Sequence, residues 1–151
     1  MPDMTAGFPA AADRIRASRA QLAVRALEAA LERDPTLRAR LGETGLQHLL
    51  RDADGFLERV ARAVGSGSPA QVRDWAEWVA PVFRRRHVPM DDLISLSEGV
   101  RLALGAVLSE GERASVDAAI DEGIAVFRWH RGISGDARKR NRLLAALYKG
   151  G

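Results

Sequence analysis

Residues 68–108 read SPAQVRDWAEWVAPVFRRRHVPMDDLISLSEGVRLALGAVL, and their pattern decides the fold. Ser68, Pro69 and Gln71 form a helix start, because a serine cap accepts from free amides, proline suits the first helical position and glutamine can reach back. Val72, Trp75, Ala76, Val79 and Phe83 then recur at three- and four-residue spacing, one apolar helical face. Pro81 falls inside that pattern without an N–H for the Glu77 carbonyl, so a kink is predicted at 77–81, with Pro81 as a structural hinge. Arg84, Arg85 and Arg86 close the helix against the negative end of its dipole, and His87-Val88-Pro89 breaks it. Asp91 and Asp92 suit the first turn of a second helix, whose inner face is Leu93, Leu96, Ser97, Val100, Leu104 and Val107. Ser95, Gly99 and Ala103 make a row of small residues four apart, which admits the close approach of another helix.

On the N-terminal side, residues 1–9 read as a disordered tail and 10–149 as one helical regulatory domain. A helix is expected from about Ala10 to Arg33, ended by Asp34-Pro35. Ile15, Leu22, Ala26 and Ala29 make one face of it; Val24, Leu27 and Leu31 make a second. Two faces suit either a broad alanine-rich core contact or a second subunit. Thr36 to Leu41 supply a turn or two, stopped by Gly42. Thr44 and Gln47 repeat the capping-box spacing ahead of a helix over about 45–64, with Leu46, Leu49, Leu50, Phe56, Leu57 and Val60 inward.

On the C-terminal side, Ser109 and Glu112 form another capping box, opening a helix over about 112–131 that buries Val116, Ile120, Ile124 and Phe127. RGISGD is expected to break it, leaving residues 136–149 as a basic terminal or linker helix capped by Asp136. Arg138, Lys139, Arg140 and Arg142 would then crowd the positive end of that helix dipole, where cations are disfavoured. Leu143, Leu144 and Leu147 give it a narrow apolar stripe. The fold class is all-α: an antiparallel bundle of four helices, each ~20 residues and ~30 Å long, plus an N-terminal and a C-terminal helix, with globin-like packing as the alternative topology.

At 151 residues the chain is long enough for one domain with a real core. It has no cysteine, which removes disulfides, thiolate catalysis and cysteine-held metals. The opening MPDMTAGFPA has neither the basic start nor the apolar core of a signal peptide. The longest apolar run, 102–108, is far short of the ~20 residues that span a bilayer, so a cytoplasmic protein without membrane contact is expected. The net charge of +3 is unevenly placed, since residues 128–151 carry seven Arg or Lys against Asp136 alone. A basic end of this kind suits an anion, a nucleic acid or an acidic partner.

No catalytic constellation is legible, and the chain is read as a non-enzyme with no cofactor and no metal. His48, His87 and His130 lie on different segments without paired ligands at helical spacing. Trp129 and His130 form a weak ligand alternative, a haem or tetrapyrrole site in a globin-like fold, against the plainer reading of a satisfied edge histidine. Trp75 lies in the apolar stripe and reads as core; Trp78 lies off it and reads as a contact residue. Asp117 and Asp121 read as a solvated face. Arg138, Lys139, Arg140 and Arg142 are the candidates for nucleic-acid or anion contact, as after the turn of a helix-turn-helix, although Asn141 is the sole polar base reader nearby.

The rhythm LLRDADGFLERVARAV, the Ser-Pro start, the basic helix end and VPMDDLISLSEGVRLAL resemble the helical N-terminal domain of RsbR-type co-antagonists of the bacterial stressosome. Similar domains precede PucR/CdaR-like transcription regulators, and RNRLLAALYKG looks like the linker helix into their effector modules. The resemblance implies a sensory or dimerisation module in signal transduction, stress response or transcription regulation, and no catalytic residue. Such co-antagonists carry a C-terminal phosphorylatable module, so the chain is expected to act alone, in trans, or within something longer. The expected partners are a second copy, forming a homodimer, and a regulatory protein or downstream effector. Val24, Leu27, Leu31, Trp78, Leu143, Leu144 and Leu147 are the expected contact residues.

Overall fold

The computed structural model describes the backbone of residues 7–149 and the side chains of residues 7–133. Among these are six helices and no strand: α1 (Pro9–Ala17), α2 (Arg19–Arg33), α3 (Thr36–Ser66), α4 (Ala70–Arg85), α5 (Met90–Leu104) and α6 (Glu110–Lys149). They pack as a bundle: α2 lies on α5, α4 on α6, α1 and α2 on α3, and α5 on α6.

The N-terminal segment differs from its sequence reading. Residues 1–6 of the expected tail lie outside the described residues. Gly7 and Phe8 are docked instead: the Phe8 N–H donates to the Val64 carbonyl at 2.8 Å. A Cβ on Gly7 would meet the carbonyl oxygens of Val64 and Gly65 at 2.6 Å, so glycine is what permits the approach. The expected helix over 10–33 is interrupted at Ser18, which has φ −113° and separates α1 from α2. Asp34 ends α2, and its carboxylate accepts from the Thr36 N–H at 3.1 Å and the Thr36 hydroxyl at 2.6 Å, starting α3.

Gly42 breaks α3 as its sequence implies, with φ 67° and ψ −178° between helical segments 36–41 and 43–66. The Thr44–Gln47 capping box makes no hydrogen bond, because the glycine break has already restarted the helix. The Ser68 hydroxyl caps nothing either; Gln71 Nε2 donates to Ser66 Oγ at 2.8 Å instead. Helix α4 runs through Pro81 without interruption. It ends on His87, whose φ of 60° lets the Val88 N–H close back on the Phe83 carbonyl at 2.9 Å.

Helix α5 is buried almost all round, including Leu93, Ile94, Ser95, Leu96, Ser97, Gly99, Val100, Ala103 and Leu104. It packs on α2, where Gly99 makes the closest approach, and on α6, so α5 is covered by two helices and not one of four equivalent ones. Asp92 at its start is 1% exposed and accepts two hydrogen bonds from Arg40, at 3.0 and 3.2 Å. Arg40 also holds Asp34 at 2.9 Å, joining the α2–α3 corner to α5.

The largest departure is at the C-terminus. RGISGD does not break the chain: α6 is a single helix of 40 residues. Interior glycines cost about 1 kcal/mol each in a helix, a preference too weak to stop one already anchored by packing. The expected separate helix over 136–149 is therefore the end of α6, and Arg138 to Arg142 do not sit at a helix start. The dipole conflict disappears with the break.

Candidate functional site

Helix α6 is fixed at its origin by the capping box that the sequence indicates. The Ser109 N–H donates to Glu112 Oε1 at 2.9 Å, and the Glu112 N–H returns to Ser109 Oγ at 3.4 Å. Arg14 of α1 pairs with the same carboxylate and reaches the Val107 carbonyl at 3.2 Å. The Ser109 backbone N–H and Arg14 together hold the Glu112 carboxyl below its ordinary pKa. One turn further, Asp117 and Asp121 face α5 and are not simply solvated. Arg101 reaches Asp117 at 2.9 Å and Glu98 at 3.0 Å, and also pairs with Asp121. Partial burial opposes the Arg101 charge, yet the three carboxylates hold its pKa above the ordinary value.

Glycine brings α6 onto α4. A Cβ on Gly123 would stand 3.0 Å from Val72 Cγ1. Trp75 closes the layer below, edge-on to Phe56 (ring centroids 5.0 Å apart) and to Phe127 (6.4 Å), as its place in the apolar stripe implied. Above it lies a cleft of about 530 Å³ in which Arg73 and Glu77 of α4 face Glu122, Val126, Trp129 and His130 of α6.

The polar groups of this cleft are unevenly satisfied. Arg73 Nη1 lies 3.5 Å from Glu122 Oε2, while Glu77 forms no ion pair among the described residues. His130 is buried, and its Nδ1 has no hydrogen-bond partner. Burial lowers its pKa, the nearby Arg84 lowers it further, and Glu77 opposes both. The shift favours the neutral imidazole. Trp129 stands edge-on to it, with centroids 4.9 Å apart, and remains 64% exposed. The structure thus joins Trp129 and His130, paired in the sequence reading, to Glu77 and Arg73, which that reading passed over. The missing signal was tertiary: two faces of two helices 50 residues apart.

The other candidates are dispersed. Trp78 is 72% exposed on α4, as its position off the stripe implied. Val24 is exposed, whereas Leu27 is half-buried against the core and Leu31 half-buried, so this face of α2 is not one open stripe. Leu102, 70% exposed on α5, escaped the sequence reading. Its spacing of two from both Val100 and Leu104 was the available signal, since residues two apart do not share a helix face. His48 and His87 are exposed, and no group of three metal-ligating side chains gathers among the described residues. The side chains of Arg138, Lys139, Arg140, Arg142, Leu143, Leu144 and Leu147 lie outside the described residues. No helix among the described residues is long and apolar enough to cross a membrane. No protein-family model matches the sequence, and no curated protein matches it.

Proposed function

We propose that this chain is a non-enzymatic regulatory domain that acts in the cytoplasm through protein contacts, as a homodimer, with α6 as its output element. The observation that supports this is the unbroken course of α6. It is capped and clamped at its origin by α1 and α5, packed on α3, α4 and α5, and then continues as helix to Lys149. At 1.5 Å per residue it is about 60 Å long, enough to carry a displacement at the bundle to a distant partner. This is the arrangement expected of a sensor module joined to an effector by a linker helix, the role implied by the resemblance to stressosome co-antagonists. Pro81, in the C-terminal half of α4, is the proposed hinge against which α6 repacks. Trp78, an exposed tryptophan of the kind that anchors interfaces, is the first contact residue to test.

The unbroken helix also lacks the turn that helix-turn-helix docking requires ahead of Arg138, which supports the protein-contact reading over nucleic-acid binding. Light scattering on the full chain tests the proposal. A dimer is expected, reduced to monomer by Gly132→Pro or Trp78→Asp with the thermal melt of the bundle retained. A wild-type monomer at every concentration overturns the homodimer, and a dimer indifferent to both substitutions overturns the assigned surface.

A further inference from the structure

We infer that the cleft between α4 and α6 binds a small organic cation, its ammonium group held between the Glu77 carboxylate and the indole face of Trp129. The inference is independent of the dimer reading. The cleft of about 530 Å³ falls within the size range of small-molecule sites, and Val126 gives it an apolar floor.

The sign of the ligand follows from the charges present. Arg73 lies 3.5 Å from Glu122 and 3.9 Å from Asp74, so its charge is offset by neighbouring carboxylates. The lowered pKa of His130 favours its neutral form, which adds no positive charge. Glu77 is left without an ion-pair partner among the described residues, and Trp129 presents an exposed ring. A carboxylate beside an open indole is the chemistry that recognises ammonium groups, because the ring quadrupole and the carboxylate attract the same charge. An anion would meet Glu77 and an indole face, both repulsive.

His130 sets the polarity of the other end. Its buried Nδ1 faces no donor, and an orphaned acceptor is tolerated better than an orphaned donor. This places the ring proton on Nε2, leaving that nitrogen free to donate to a ligand. Arg84, which lies close enough to depress His130, adds positive charge at this same end. The ligand accordingly carries its ammonium toward Glu77 and a hydrogen-bond acceptor, such as a hydroxyl or ether oxygen, toward His130. The cleft wall thus joins an unpaired carboxylate, an exposed indole and a buried imidazole whose Nδ1 is turned away from the cleft.

The test uses three probes of one shape and different charge: benzylammonium, benzyl alcohol and benzoate. They are titrated into the full chain carrying Trp78→Phe, so that emission reports on Trp129 over a half-buried Trp75. Saturable quenching by benzylammonium is expected with a Kd below about 1 mM. Glu77→Gln should weaken it at least about tenfold. Trp129→Leu, followed by calorimetry, should abolish binding with the circular dichroism melt unchanged, since both residues are exposed. Equal binding of benzyl alcohol or benzoate, indifference to Glu77→Gln, or no binding at about 10 mM each overturns the assignment.

Discussion

Gly99 of α5 lies against the backbone of Ala26 in α2 so closely that a Cβ at position 99 would overlap the Ala26 carbonyl oxygen and stand 3.1 Å from its carbonyl carbon. The same Cβ would be 3.2 Å from the Ala30 amide nitrogen. Backbone is what it meets, and backbone within a helix cannot yield as a side-chain tip does. Ala23, Ala26 and Ala30 line the facing side of α2, buried to within 2%. Small residues on both helices let the two axes approach, and the contact is the most extensive between any two helices here.

Gly99→Ala is therefore expected to destabilise the fold by about 1–3 kcal/mol, the usual cost of overpacking. Gly55→Ala is the control. Gly55 is an exposed position of α3 where a Cβ meets nothing, and removing a mid-helix glycine should stabilise by about 0.5–1 kcal/mol. Urea unfolding of both variants gives the two signs directly, and equal effects would refute the packing account.

At the origin of α6, Ser109→Ala should cost about 1 kcal/mol, as other caps do. Glu112→Ala should cost more, about 1–2 kcal/mol, because it removes both the hydrogen bond from the Ser109 N–H and the pair with Arg14. The Glu112 carboxyl is depressed in the folded state, so its contribution is complete above the unfolded carboxylate pKa and is lost as pH falls through the folded value. The difference between wild type and Glu112→Gln should accordingly shrink in acid, measured by denaturant midpoints from pH 7 to pH 3.

His130 titrates in a different window. Its folded pKa lies below the ordinary 6.5, so the unfolded chain binds the proton first as pH drops. Stability should fall as pH decreases from 6.5 toward the folded value and then level off. His130→Gln should remove that component of the slope. Burial is the leading cause, with Arg84 second and Glu77 opposed; Glu77→Gln should therefore lower the His130 pKa further, read by the imidazole proton resonances.

His87 ends α4 at φ 60°, a left-handed conformation that costs a residue with a Cβ about 1–2 kcal/mol. His87 is exposed, with its side chain in no hydrogen bond among the described residues. His87→Gly should raise stability by about 1 kcal/mol, visible as a higher melting temperature. A loss of stability would mean that the imidazole makes a contact of its own.

Several features of this fold are written locally. The Ser109–Glu112 box, the Gly42 stop, the aspartates opening α5 and the buried stripe of α4 involve residues no more than a few positions apart, and all form as read. Where the reading failed, the competing force came from elsewhere in the chain. Ser68 and Thr44 have good capping chemistry but lost their positions to a proline-led start and a glycine break. Gly132 and Gly135 have helix-breaking character, but an anchored α6 continues through them.

The ligand cleft illustrates the same division. Trp129 and His130 are adjacent in sequence and were visible as a pair, yet Glu77 and Arg73 belong to another helix and acquire meaning from the α4–α6 contact. Exposure of Trp78 was legible because helical periodicity assigns faces. Partial burial of Leu27 was not, because it depends on which neighbour covers that face.

Helical class, most element boundaries and the existence of a close-packing row on α5 follow from interactions that span one turn, which the order of residues specifies without reference to distant parts. Which helix occupies that row, that α5 is covered by both α2 and α6, and that α6 is one helix were decided only when the bundle assembled. The reason is physical: a small-residue row states how closely a neighbour can approach but not which neighbour, and it is the assembled bundle that sets the backbone of Ala26 and Ala30 in α2 against Gly99.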